Sequence, residues 1–160
     1  CYIQKLEIML SYYCEWGDMS MSLSRNKSRI VAMSVLYQYF LYKKNKIEFN
    51  LESAINNMEA TSDDFAKELI DGVIEKDDYL TEIANKYLKN WDVSRLGLTD
   101  QAILKMGIYE LIFTSVPNKV CIDEAITLAN DYSDLAVSKM INGVLDKVYH
   151  DECGESEDAK

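Results

Sequence analysis

The sequence predicts an all-α protein, and three observations carry that reading. Six glycines and one proline in 160 residues are too few for a sandwich or barrel made of many tight turns. Apolar residues recur at three- and four-residue spacing along most of the chain, the period of a core-facing helix. Ser, Asp and Asn stand just ahead of these periodic runs, where they cap orphaned backbone N–H groups. A hydrophobic content of 48% in 160 residues suits one globular domain with a sizeable core.

The elements follow in order. Ser24 precedes a helix expected over about 25–43, with Val31, Met33, Val35, Leu36, Tyr39 and Phe40 on its apolar side. Asn50 caps a short helix over 51–58, and "TSDD" at 61–64 starts a third that carries Phe65, Leu69, Ile70, Val73 and Ile74. Asp77 and Asp78 open a fourth whose face runs from Leu80 and Ile83 through Ala84, Tyr87 and Leu88 to Trp91. Thr99 or Asp100 caps "DQAILKMGIYELIF", which must stop before Pro117. "CIDEAITLANDY" and "SDLAVSKMINGVLDKVY" complete the set. Gly72, Gly107 and Gly143 read as places where two helices approach closely.

Charge is distributed unevenly. The formal net charge is -10, yet Met19 to Ile47 holds six basic residues and no acidic one, which leaves 11 basic against 27 acidic elsewhere. Arg25 and Arg29, four residues apart, share a helical face with Lys27 at its flank, so "SRNKSRIVAMSVLYQYF" at 24–40 presents a short positive edge at a helix N-terminus. The unpaired N–H groups there also favour phosphate, and arginine grips phosphate with a two-pronged fork. A polyanion is the expected ligand of such a block. The last ten residues, "DECGESEDAK", carry five acids and one lysine and read as a disordered tail over 151–160. A sharper reading makes that tail an acidic decoy folding back on the basic block.

Several functions are disfavoured. Four cysteines at 1, 14, 121 and 153, without a CxxC and with His150 as the lone histidine, make neither a metal cluster nor a disulfide framework and read as reduced thiols. No phosphate-cradling glycine loop is present, no nucleophile has an adjacent base, and paired acids such as Asp123 and Glu124 suit a helix start. No enzyme activity, metal or cofactor is implied. No apolar run reaches the roughly 18 residues that span a bilayer, so no membrane partner is expected. Residues 1–23 lack the features of a signal peptide and are expected to be an N-terminal extension or a misassigned start, with Met19 or Met21 a more natural beginning.

Taken together, "SRNKSRIVAMSVLYQYF", "LIDGVIEK" at 69–76, "DQAILKMGIYEL" at 100–111, "VPNKVCIDEAITLAND" at 116–131 and "SKMINGVLDKV" at 138–148 resemble, in order and spacing, the transcription antitermination factor NusB family. The resemblance covers about 24–150 and implies a NusB-like bundle of about seven helices in two helical subdomains, about 24–77 and 78–150. It implies a cytoplasmic, non-catalytic protein that binds boxA-type single-stranded RNA together with the small-subunit ribosomal protein NusE. Other Nus factors and RNA polymerase would complete the assembly, which supports elongation through ribosomal RNA operons.

Carried over residue by residue, Tyr37 and Tyr87 match positions near the RNA, and Lys105 and Lys119 match basic ones, beside Arg25, Lys27 and Arg29. Asp100 matches a position facing the ribosomal-protein partner and reads equally as an N-cap. Glu124 and Asn142 belong to the family pattern and read as buried or interfacial polar residues. The chain departs from the pattern at Asn26, where arginine is common, and at Met140, where an aromatic usually precedes "NG". With about three to four phosphate contacts, log affinity should fall against log salt with a slope near -2 to -3. Two alternatives stay open: a protein-interaction module with incidental RNA contact, and the NusB-like accessory domain of a truncated RNA cytosine methyltransferase. A free homodimer is equally compatible with the apolar helix faces.

Overall fold

The computed structural model describes residues 24–57 and 63–154. Among them the regular structure is helical throughout: α1 (Arg25–Lys44), α2 (Leu51–Asn57), α3 (Asp64–Glu75), α4 (Asp77–Tyr87), a 3-10 turn (Val93–Arg95), α5 (Leu98–Phe113), α6 (Asn118–Tyr132) and α7 (Leu135–Glu152). Residues 1–23, 58–62 and 155–160, and with them the expectations for the N-terminal extension and most of the acidic tail, lie outside this description.

The caps explain most of the boundaries. Ser24 accepts from the backbone of Lys27 to start α1, and Asn50 accepts from Ser53 N at 2.9 Å to start α2. Asp63 Oδ1 accepts from Phe65 N and Ala66 N at 3.2 and 3.3 Å. Asp134 does the same for α7 through Val137 N at 2.9 Å. Each satisfies donors that the helix itself leaves unpaired.

Four expectations are corrected. α5 starts at Leu98 with Gly97 as its N-cap, so Asp100 occupies the third helical position and reaches back to the Gly97 backbone N–H instead of capping. α4 ends at Tyr87, and Asn90, in a left-handed conformation at φ 65°, turns the chain so that Trp91 is 55% exposed and off the apolar face. α7 continues through Asp151 and Glu152, residues expected in the disordered tail. Asn142 is exposed rather than buried or interfacial.

The core is organised round α5. Every residue from Gln101 to Leu111 is buried, because α1, α3 and α4 pack against this helix as well as α6 and α7. A helix enclosed in this way has no polar face. Two glycines make the close approaches possible. A Cβ on Gly72 of α3 would lie 2.1 Å from Tyr109 Cζ of α5, and one on Gly107 would meet Leu145 at 3.0 Å. Gly143 is the exception to the expected pattern, since a Cβ there meets nothing within 4 Å.

These environments predict opposite outcomes for one chemical change. Gly72→Ala forces the Tyr109 ring out of a tight contact and should lower stability by about 1–3 kcal/mol, the usual cost of overpacking. Gly143→Ala replaces an exposed mid-helix glycine and should raise stability by up to about 1 kcal/mol. Urea denaturation of both variants, read as the shift in midpoint at constant slope, checks the pair.

Candidate nucleic-acid interface

The first turn of α1 holds Arg25, Asn26 and Lys27, and no acidic residue offsets them. Helix dipoles favour anions at this end, so basic side chains here run against a local rule and give the first turn a positive edge. Arg25 and Lys27 are exposed. The Arg25 guanidinium lies 4.8 Å from the centroid of the Phe65 ring on α3, which restrains it without neutralising it. Beneath the turn, Ser28 donates to the Asp63 carboxylate, tying the start of α1 to the start of α3.

Arg29 also sits over Phe65, at 5.1 Å, so the shared face with Arg25 exists. That face turns inward at its second member. Arg29 and Glu110 are each 2% exposed, with Nε 3.1 Å from both Glu110 oxygens and Nη2 2.6 Å from Oε1. Its Nη1 is 3.9 Å from Glu124 of α6, whose carboxylate accepts from Asn26 Nδ2 at 3.2 Å. Glu124 is thus half-buried and interfacial, and Asn26 joins α1 to α6. The expectation that Arg29 faces RNA is corrected: its guanidinium is committed to a buried two-pronged ion pair and offers no face to a phosphate.

Lys105 is corrected in the same way. It is 4% exposed on α5, its Nζ 2.6 Å from Asp77 Oδ1 and 4.5 Å from the Phe40 ring centroid. Lys43 completes the cluster from α1 at 2.6 Å from Asp77 Oδ2. Burial pushes the Asp77 carboxyl up, but hydrogen bonds and charge from the two lysines outweigh it and hold the group below the ordinary value of 3.8.

The remaining expected residues are placed as follows. Lys119 is exposed in the first turn of α6, which also lacks an acidic residue and has Pro117 at its N-cap. Lys119 and Glu124 lie on the same helix, about 7.5 Å apart along its axis and about 140° apart round it. Tyr37 is half-buried on α1. Tyr87 is buried except near its hydroxyl, which meets Glu152 at 2.7 Å. Asp100 is half-buried, accepting from Ser133 in the α6–α7 connection; burial and the charge of Asp134 push its carboxyl up against the Ser133 hydrogen bond. Arg25 and Lys27 thus share the exposed first turn of α1, which Asn26 ties to Glu124 of α6, while Lys119 is exposed at the start of α6 and Lys105 is buried in the core.

Residues missed in the sequence are the acidic partners Glu110, Asp77 and Glu152. Cys121 is a buried thiol, and burial drives it up to about 12, so it stays protonated. Among the described residues no group of three His, Cys, Asp or Glu could hold a metal, and no helix is long and apolar enough to cross a membrane.

The buried pairs predict two measurements. Arg29→Ala leaves Glu110 charged and buried, and should cost about 3–5 kcal/mol in chemical denaturation, while Arg25→Ala should stay within about 0.5 kcal/mol of the parent. Asp77 titrates lower in the native state than unfolded, so its contribution is present above about pH 4 and is lost as pH falls from 3.8 toward the depressed native value. Asp77→Asn should remove that share of the acid limb and lower stability near pH 7 by about 3 kcal/mol, checked by urea midpoints between pH 2.5 and 7.

Residues 26–150 match the profile described as the NusB family. The chain is 36% identical over 128 residues to the transcription antitermination protein NusB of Macrococcus caseolyticus, covering 79% of this chain and 96% of that protein. It is likewise 36% identical over 125 residues to its counterpart in Listeria innocua, at 77% and 94% coverage. Among solved structures, T. maritima NusB superimposes with a TM-score of 0.74 at 27% identity, covering 88% of this chain and all of that one. NusB in a complex of the antitermination factors NusB and NusE with double-stranded RNA superimposes at 0.65 with 26% identity, covering 78% and 95%. With seven α-helices and no strand among its described residues, and with these matches, this chain belongs to the NusB family.

Proposed function

We propose that the chain acts as a transcription antitermination factor, binding boxA-type single-stranded RNA at the α1–α6 corner together with the ribosomal protein NusE. The observation that carries this reading is the exposed basic first turn of α1, Arg25 and Lys27 with no acid in that turn, on a helix tied to α6 by the Asn26–Glu124 bond; Lys119 adds a cation in the first turn of α6, which also lacks an acid. Elsewhere the chain is strongly acidic, so RNA is attracted to this corner and repelled from other faces. The solved NusB–NusE–RNA complex supports the choice of partners. Tyr37 supplies a half-buried aromatic on the same helix for an unpaired base to stack against.

The acidic remainder suits a basic ribosomal protein, and half-buried Asp100, linked to Ser133, is the proposed docking carboxylate. RNA polymerase and other Nus factors would complete the assembly. The protein is proposed to be cytoplasmic and non-catalytic. Curated relatives that it covers almost end to end are named as antitermination proteins, which favours this reading over the methyltransferase accessory domain. The charge balance keeps the pure protein-interaction module as the second reading.

Gel mobility shift with a boxA-like single-stranded RNA, with and without NusE, separates the two. About three phosphate contacts give a slope of log affinity on log salt near -2. Arg25→Ala/Lys27→Ala should weaken binding and reduce that slope by about 1.4, and NusE should raise affinity for the parent. Unchanged RNA binding by the double variant would leave the interaction module as the better account.

A further inference from the structure

The last turn of α7 carries an acidic residue whose surroundings differ from those of the other surface acids. Glu152 Oε1 accepts from Lys86 Nζ and from the Tyr87 hydroxyl, both at 2.7 Å. Lys86 is exposed, its ammonium 5.1 Å from the Tyr87 ring centroid. An ammonium and a phenol hydroxyl converging on one anionic oxygen are the donors a phosphate oxygen would collect at the same place. Here the oxygen is the chain's own.

The position also packs against α5. Cys153, next after Glu152, has its Sγ 3.4 Å from the Leu111 carbonyl of α5. Leu111 follows Glu110, the residue that holds Arg29. The end of α7 and the second turn of α1 therefore both meet the last turn of α5.

We propose that Lys86 and Tyr87 form a second phosphate seat for the RNA backbone, and that Glu152 occupies it as an internal anion and holds it shut. The proposal rests on the RNA-binding reading above and adds a residue that limits it. While Glu152 keeps its place, Lys86 makes no phosphate contact, and RNA is held by the α1–α6 edge alone. The hydrogen bonds from Lys86 and Tyr87 hold the Glu152 carboxyl below its ordinary value, so it remains an anion at neutral pH. The latch pairs an exposed lysine with a half-buried carboxylate at the bundle surface, a class of interaction that contributes modestly to folding. Opening it should leave the bundle intact.

The test is a mobility shift of a boxA-like single-stranded RNA with the full chain across a salt series. Glu152→Gln should bind about two- to fivefold more tightly than the parent, the factor a surface ion pair can withhold. Its salt slope should steepen by about 0.7, one further phosphate contact on a single strand. Asp151→Asn makes the same change in net charge one residue away and should leave affinity and slope at parental values. Adding Lys86→Ala to Glu152→Gln should abolish the gain. Parental behaviour in Glu152→Gln, an equal gain in Asp151→Asn, or a gain that survives loss of Lys86 would each overturn the latch while leaving the RNA reading standing. If neither the parent nor any variant binds the RNA, the functional reading falls and the latch with it.

Discussion

Helix α5 can be enclosed on every side because both charges on its buried stretch have partners. Between Gln101 and Leu111 the charged residues are Lys105 and Glu110. Asp77, at the first position of α4, answers the lysine, and Arg29, in the second turn of α1, answers the glutamate. Remove either partner and a bare charge remains in the core, which is far costlier than never having placed a pair there. The two pairs also set the geometry of what surrounds them. Arg29 draws α1 against α5, and Asp77 draws α4 against α5 while reaching Lys43 near the C-terminal end of α1.

This constraint shapes the candidate interface. The Arg29 fork fixes the rotation of α1 about its own axis, so the first turn is presented in one orientation. Arg25, one turn earlier, shares the Phe65 face yet is exposed where α3 begins. The basic edge is thus the exposed continuation of a buried stripe. Its residues stand on rigid helix ends, an arrangement that favours defined placement of a ligand over capture by many adaptable contacts.

The helical layout was legible because its causes are local. Asp63, Asn50 and Asp134 cap the helices they precede, and apolar spacing marked the core face of α1 and α3. The roles of Arg29 and Lys105 were not legible in the same way, because their partners lie 81 and 28 residues away. A lone basic residue on a helix reads as surface until its partner is known. A signal was nonetheless present: "QAILKMGIYEL" is apolar round the whole helix, a pattern that belongs to a core. Its two charges therefore had to be internal and had to seek partners elsewhere. Trp91 misled for a different reason, since periodicity cannot see the left-handed Asn90 that ends the helix face. Gly143 and Asn142 misled because "NG" inside a helix reads equally as a close contact or an open surface.

With Arg29 and Lys105 committed to the core, the chain has fewer cations to offer RNA than its sequence suggests, and the strength of the interaction changes accordingly. Phosphate contacts dominate nucleic-acid affinity, so each one removed lowers both binding and its salt dependence. A corner with about three contacts on a chain of net charge -10 attracts RNA locally against a repulsive whole. Such a site is weak alone and gains most from a partner that brings its own cations and covers acidic surface. The partner's contribution is then additive in charge and also geometric, because two basic surfaces held side by side act on one strand at high effective concentration. On the proposed reading, the ion pairs that stabilise the bundle also withdraw cations from RNA, so a partner's cations would add most to binding.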